Sequence, residues 1–194
     1  AGVVTPGEFV VAAEDTGLID ALGRHVLRRA LTGAVESGLI AAGHRLAVNV
    51  SPLQLRQPMF LSGFLHELCS AGVPPQQVTI EVTESVLVQA DDPAVATLTQ
   101  ARREGLRIAL DDFGTGYSSL SYLTRLPVQV IKIDRSLTGR FGQDKADAIA
   151  TSIIELARHL QLEIVVEGVE TVEQEEWVRL HGLDRLQGWL YSPA

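Results

Sequence analysis

Six β-forming runs alternate with amphipathic helical runs along the whole chain, an order that few folds accept. Runs rich in valine, isoleucine and leucine fall at Arg45–Val50, Val78–Thr83, Leu106–Leu110, Val128–Ile133 and Glu163–Val166, with a weaker one at Leu183–Leu186. Helical periodicity occupies Leu18–Glu36, Phe60–Ser70, Pro93–Glu104, Ala146–Leu160 and Val172–Leu180. Boundary residues agree with these limits. Asp92 before Pro93 predicts an N-cap with proline at the first helical position, and Thr171 with Gln174 predicts a capping box. Gly72, Gly105 and Gly182 sit where helices should stop.

Repeated strand and helix units of this size imply parallel strands joined by right-handed crossovers, hence an open doubly wound sheet or a closed barrel. No phosphate loop or dinucleotide fingerprint follows the first strand. A (β/α)8 barrel takes about 250 residues, whereas this chain has 194. Roughly six units leave about two unaccounted for, and we expect them to precede residue 1. Met59 is the only methionine and residue 1 is alanine, so we expect a piece of a longer protein that opens in the turn-like stretch Ala1–Pro6. A hydrophobic fraction of 46% supports one sizeable core, and we expect a single, partial domain over residues 1–194.

Barrel enzymes place their chemistry at the carboxyl ends of the strands. Here those ends carry Asn49, Glu81, Asp111 with Asp112, Lys132 with Asp134, Glu167 and Gln187. Leaving such groups buried and unpaired costs several kcal/mol each, so each must pair, cap a helix or bind something. Asp112 before a glycine turn and Glu170 before Thr171 also read as ordinary helix-start residues. As a set, however, Glu81, Asp111, Asp112 and Glu167 carry more negative charge than Lys132 neutralises, and divalent cations answer that excess. Carboxylate and amide oxygens are hard donors that suit magnesium or manganese rather than zinc. Adjacent aspartates suit a two-ion site of the kind that cleaves phosphodiesters, with Lys132 offsetting phosphoryl charge or positioning water. His25, His44, His66, His159 and His181 show no metal-ligand spacing. The segment after Asp112, Phe113-Gly114-Thr115-Gly116-Tyr117-Ser118-Ser119, offers backbone donors suited to phosphate.

Charge and composition narrow the partners. A formal net charge of −8, from 24 acidic and 16 basic residues, repels nucleic acid polymers and anionic membrane at long range. Cys69 is the only cysteine, which forbids an intrachain disulfide. The longest apolar runs fall far short of the roughly 18 residues of a spanning helix, and no basic-then-apolar leader opens the chain. We therefore expect a cytoplasmic segment without membrane, DNA or RNA contact, although other domains of the parent protein are free to anchor it.

Several strings together resemble the EAL domain family in order and spacing. They are Asn49-Val50-Ser51-Pro52, Glu81-Val82-Thr83-Glu84, the run DDFGTGYSSL from Asp111, Ile131-Lys132-Ile133-Asp134, Glu167-Gly168-Val169-Glu170 and Gln187-Gly188. The resemblance implies an α/β fold of (β/α)8 TIM-like barrel type, here lacking its N-terminal strands and C-terminal helix. It implies a phosphodiesterase that opens cyclic di-GMP to linear pGpG with two Mg2+ or Mn2+ ions in bacterial second-messenger signalling. By motif, Asn49, Glu81, Asp111 and Asp112 become metal ligands and Glu167 a further ligand or the general base. Lys132 assists water and phosphate, and Asp134 and Gln187 serve the substrate. Glu84 holds the loop containing Thr115, Gly116 and Ser118, and Glu170 supports the site from behind. A homodimer and fusion to sensory or GGDEF-type domains follow from the same resemblance.

The Glu-Ala-Leu signature itself, a metal ligand in the family, is absent, and Glu155-Leu156-Ala157 lies on a predicted helix. Leu137 and Val166 replace an expected phenylalanine and alanine, as apolar repacking. Two other functions compete. One is a degenerate domain acting as a cyclic di-GMP receptor or protein-interaction module. The other is an aldolase-like barrel with Lys132 as Schiff-base lysine, a role its carboxylate neighbours disfavour by stabilising the ammonium.

Overall fold

The computed structural model describes residues 4–84, 92–114, 123–183 and 185–191. The chain forms two compact units, one of Ala1–Glu81 with Asp91–Arg107 and the other of Val82–Ala90 with Ile108–Ala194.

The first unit contains helices α1 (Pro6–Asp15) and α2 (Ile19–Glu36), strand β1 (Leu46–Asn49), and helices α3 (Pro52–Leu55) and α4 (Phe60–Ala71). Strand β2 (Val78–Thr83) begins there, and α5 (Pro93–Arg103) completes it. β1 and β2 run parallel, with Leu46 opposite Val78 and Asn49 opposite Glu81. Ile19, Leu27, Leu31 and Ala34 bury one face of α2, as a 3.6-residue period requires. Leu27 and Leu31 join Leu68 and Ile80 in a core where each is at most 3% exposed. Such a leucine contributes about 1.5–3 kcal/mol by leaving water. α4 ends at Gly72 with φ +69°, a left-handed stop that glycine adopts without Cβ strain.

The second unit contains β3 (Arg107–Phe113), β4 (Val130–Ile133), α6 (Arg135–Thr138), α7 (Asp144–His159), β5 (Glu163–Val166) and α8 (Val172–Leu180). β4 pairs in parallel with β3 on one side and β5 on the other. All four residues of β4 are buried, the mark of a parallel strand covered on both faces. Ala146, Ala150, Ile153, Ile154 and Ala157 form the buried stripe of α7.

The predicted helices and the first five strands all form, within a few residues of their expected limits. Asp92 caps α5 by accepting from Ala94 N–H at 2.9 Å, and the Thr171–Gln174 box opens α8. Three expectations change. Residues 6–15 are helical, opened by Pro6 and a box in which Glu8 accepts from the Thr5 backbone N–H at 3.1 Å. Among the described residues of the run at 183–186 no strand forms; Leu186 makes an isolated parallel bridge to Val166. β3 runs three residues beyond Leu110, through an irregularity that shapes the site.

Candidate metal centre

In β3, Leu110 faces Ile131 of β4 and Phe113 faces Ile133, so three steps along β3 are matched by two along β4. The extra residue is a β-bulge at Asp111 and Asp112. Asp112 takes φ +56°, a left-handed conformation that aspartate tolerates better than most residues. In a regular strand two consecutive side chains point to opposite faces. The bulge brings both carboxylates to one side, where ligand oxygens of Asp111, Asp112 and Glu167 lie within 4.8 Å of one another.

Lys132 anchors this cluster from β4. It is only 6% exposed, and its Nζ lies 3.1 Å from Asp111 Oδ1 and 2.6 Å from Glu167 Oε1. Burial pushes the Asp112 carboxyl above its ordinary range, and the negative charges of Asp111 and Asp134 add to the effect. Lys132 and Arg135 offset part of it. Three close oxygen donors with a net negative balance fit a hard divalent cation. Among the described residues this is the one cluster of three or more histidine, cysteine or acidic side chains that could hold a metal ion.

The remaining candidates fall into place unit by unit. In the first unit, Asn49 and Glu81 are register neighbours on β1 and β2, Glu81 buried and Asn49 exposed. Asn49 lines a cavity of about 260 Å³ with Gln54, Leu27, Val48 and Phe64. Ser51 ties this rim to α1: its Oγ donates to Glu14 Oε1 at 2.5 Å and accepts from Leu53 N–H at 3.1 Å. In the second unit, Asp134 caps α6 by accepting from Ser136 N–H at 2.8 Å. Glu170 does not cap α8 with its side chain, because the Gln174 amide oxygen accepts from Glu170 N–H and Thr171 N–H. Glu170 lines a cavity of about 290 Å³ with Glu167, Gln187, Arg135 and Trp189. Arg135 and Trp189 escaped sequence reasoning; each stands beside a motif, after Asp134 and after Gly188. Glu84 is half-buried beyond β2, while Thr115, Gly116 and Ser118 lie outside the described residues. Among the described residues no helix is long and apolar enough to cross a membrane.

A parallel α/β fold with carboxylates and a lysine at its strand ends is the arrangement of barrel enzymes. The chain belongs to the EAL domain family, whose model matches residues 1–194. It is 40% identical over 193 residues to the bifunctional diguanylate cyclase/cyclic di-GMP phosphodiesterase MucR of Pseudomonas aeruginosa, covering 97% of this chain and 28% of that protein. The solved PaMucR phosphodiesterase, in complex with c-di-GMP, superposes with a TM-score of 0.90 at 39% identity, over 99% of this chain and 78% of that one. Klebsiella pneumoniae BlrP1, in a manganese and cyclic di-GMP complex, gives 0.81 at 34% identity, over 96% and 47%. The chain spans roughly a quarter of the length of the first curated relatives it matches. These neighbours bear out the TIM-barrel-like fold expected from the sequence.

Proposed function

We propose that the two units belong to one partial EAL domain, whose parent protein hydrolyses cyclic di-GMP to linear pGpG with Mg2+ or Mn2+. The observation that carries this reading is the bulge-built triad Asp111, Asp112 and Glu167 around the buried Lys132. These three carboxylates would hold the metal, and Asn49 and Glu81 keep the ligand roles that the family resemblance implies. A divalent ion, when bound there, neutralises phosphodiester charge and makes water a better nucleophile.

The chain's own groups supply the rest. Lys132 fixes one oxygen of Asp111 and one of Glu167, and so orients their remaining lone pairs. Glu167 takes a proton from the water as its oxygen bonds to phosphorus, the ester bond from phosphorus to the ribose oxygen breaks, and that oxygen leaves as a hydroxyl after taking a proton from solvent. Gln187 and Asp134 contact the substrate, with Glu170 behind Glu167. Two carboxylate contacts on Lys132 suit an ammonium, not the free amine of a Schiff-base enzyme. A homodimer, a cytoplasmic setting and fusion to sensory or GGDEF-type domains complete the proposal.

The test is chromatographic detection of pGpG from cyclic di-GMP with Mn2+ and with EDTA, using both this chain and the longer protein. Turnover should require metal and vanish in Asp111→Asn. A longer protein that binds metal and cyclic di-GMP yet leaves the dinucleotide intact is a receptor, and the enzymatic reading then fails.

A further inference from the structure

Helix α1 contributes little to the core of the first unit: of its ten residues only Ala13 is buried, while Phe9 and Val11 are exposed. Its specific contact comes from the residue after Ala13. Glu14 Oε1 accepts from Ser51 Oγ at 2.5 Å, across 37 positions of sequence. Hydrogen bonds onto a carboxylate are shorter and roughly twice as strong as neutral ones.

Ser51 stands where β1 gives way to α3. Val48 and Val50 are buried whereas Asn49 and Ser51 are not, so Asn49 and Ser51 share one face of an extended stretch. Val50 N–H donates to Glu81 O at 2.9 Å, which carries the β1–β2 ladder one step beyond Asn49. The Ser51 hydroxyl then serves two partners: it accepts from Leu53 N–H at 3.1 Å, and its one proton goes to Glu14. The far end of α3 is tied separately. Thr97 Oγ1 donates to Leu55 O at 2.8 Å, and Arg56 Nη2 donates to Asp92 Oδ2 at 2.6 Å. The turn that follows Asn49 is therefore held by α5 at its far end and by α1 at its near end.

We propose that Glu14 is a positioning residue for Asn49, fixing the end of β1 through the Ser51 hydroxyl and so aiming the Asn49 carboxamide. The inference rests on the ligand role proposed for Asn49. A carboxamide oxygen offers a cation no net charge, only directed lone pairs, so its contribution depends on aim.

The experiment is calorimetric titration of this chain and of the longer protein with Mn2+, beside kcat and KM for cyclic di-GMP in the longer protein. Glu14→Ala and Ser51→Ala should each weaken Mn2+ by about 10-fold or more, the usual effect of losing a group that holds a ligand from behind. The double variant should be no weaker than either single one, because both act through one contact. Glu14→Gln keeps an acceptor for Ser51 and should stay within about threefold of native. In the longer protein, excess Mn2+ should restore most of the kcat lost in Glu14→Ala. Glu8→Ala opens the box at the start of α1 without touching Ser51 and should leave Mn2+ affinity unchanged. A loss in Glu8→Ala equal to that in Glu14→Ala, or a further loss when Glu14→Ala is added to Asn49→Ala, overturns the positioning role. Asn49→Ala separates the two failures. Native Mn2+ affinity in Asn49→Ala removes the ligand reading and the positioning role with it. Weakened Mn2+ in Asn49→Ala, beside native affinity in Glu14→Ala, removes the positioning role alone.

Discussion

Lys132 offers the sharpest test of the candidate metal centre. Replacing it with methionine keeps most of the buried volume and removes the ammonium that lies 2.6 Å from Glu167 and 3.1 Å from Asp111. Breaking a buried ion pair by deleting one partner costs about 3–5 kcal/mol, because the other charge stays behind. The Asp111 and Glu167 side chains keep 13% and 18% of their exposure, so water relieves part of the loss and the lower end applies. For a chain of this size each kcal/mol moves the midpoint by roughly 2–4 °C. The variant should therefore melt about 6–12 °C below the native protein in EDTA. Saturating Mn2+ should narrow that gap, because the cation replaces the missing positive charge. A hundredfold excess over Kd contributes about 2.7 kcal/mol to a state that binds it. Thermal unfolding by circular dichroism, with and without Mn2+, reads both numbers. A loss below about 2 °C in EDTA, or a deficit that Mn2+ leaves unchanged, would refute the argument that Lys132 balances a metal-binding carboxylate cluster.

Asp112→Asn preserves shape and tolerates the left-handed backbone while removing a repelled charge. The variant should be at least as stable as the native protein in EDTA yet show a smaller Mn2+-induced stabilisation, measured by urea unfolding. Arg56 grips Asp92 through Nη2 at 2.6 Å and Nε at 3.1 Å, and Asp92 also caps α5. Asp92→Ala should cost about 2–3 kcal/mol in chemical denaturation. The Arg56 hydrogen bonds hold the Asp92 carboxyl below the usual carboxylate range, against its desolvation. Because the folded pKa is the lower one, this stabilisation is fully present above about pH 4 and disappears as pH falls through the folded value. Asp92→Asn should flatten that acid slope. Glu14→Ala should cost about 1 kcal/mol by freeing Ser51, and Glu14→Gln should recover most of it in the same assay.

Asp111, Lys132 and Glu167 were legible in the sequence because each polar side chain interrupts an apolar run at a strand end, where ordinary cores have none. Their mutual geometry was not legible. Strand periodicity puts Asp111 and Asp112 on opposite faces, and only the bulge, set by pairing with β4, reunites them. The first helix was missed because the stretch Ala1–Pro6 reads as a turn, although proline also opens helices and Thr5 with Glu8 forms a box. The weak run at residues 183–186 shows the reverse: β propensity bought only one bridge, to Val166. Trp189 carries no periodic signal, since its exposure depends on which turn Gly188 meets.

The bulge also makes the centre separable from the sheet that carries it. Beyond it, Phe113 returns to the buried face and to its partner Ile133, as if one residue had been spliced into an unbroken strand. Excising a single aspartate would return β3 to simple two-residue alternation, keeping the apolar phase of the strand while stripping out half of its acidic pair. A one-codon deletion would thus remove the proposed chemistry and leave the scaffold's apolar register in place.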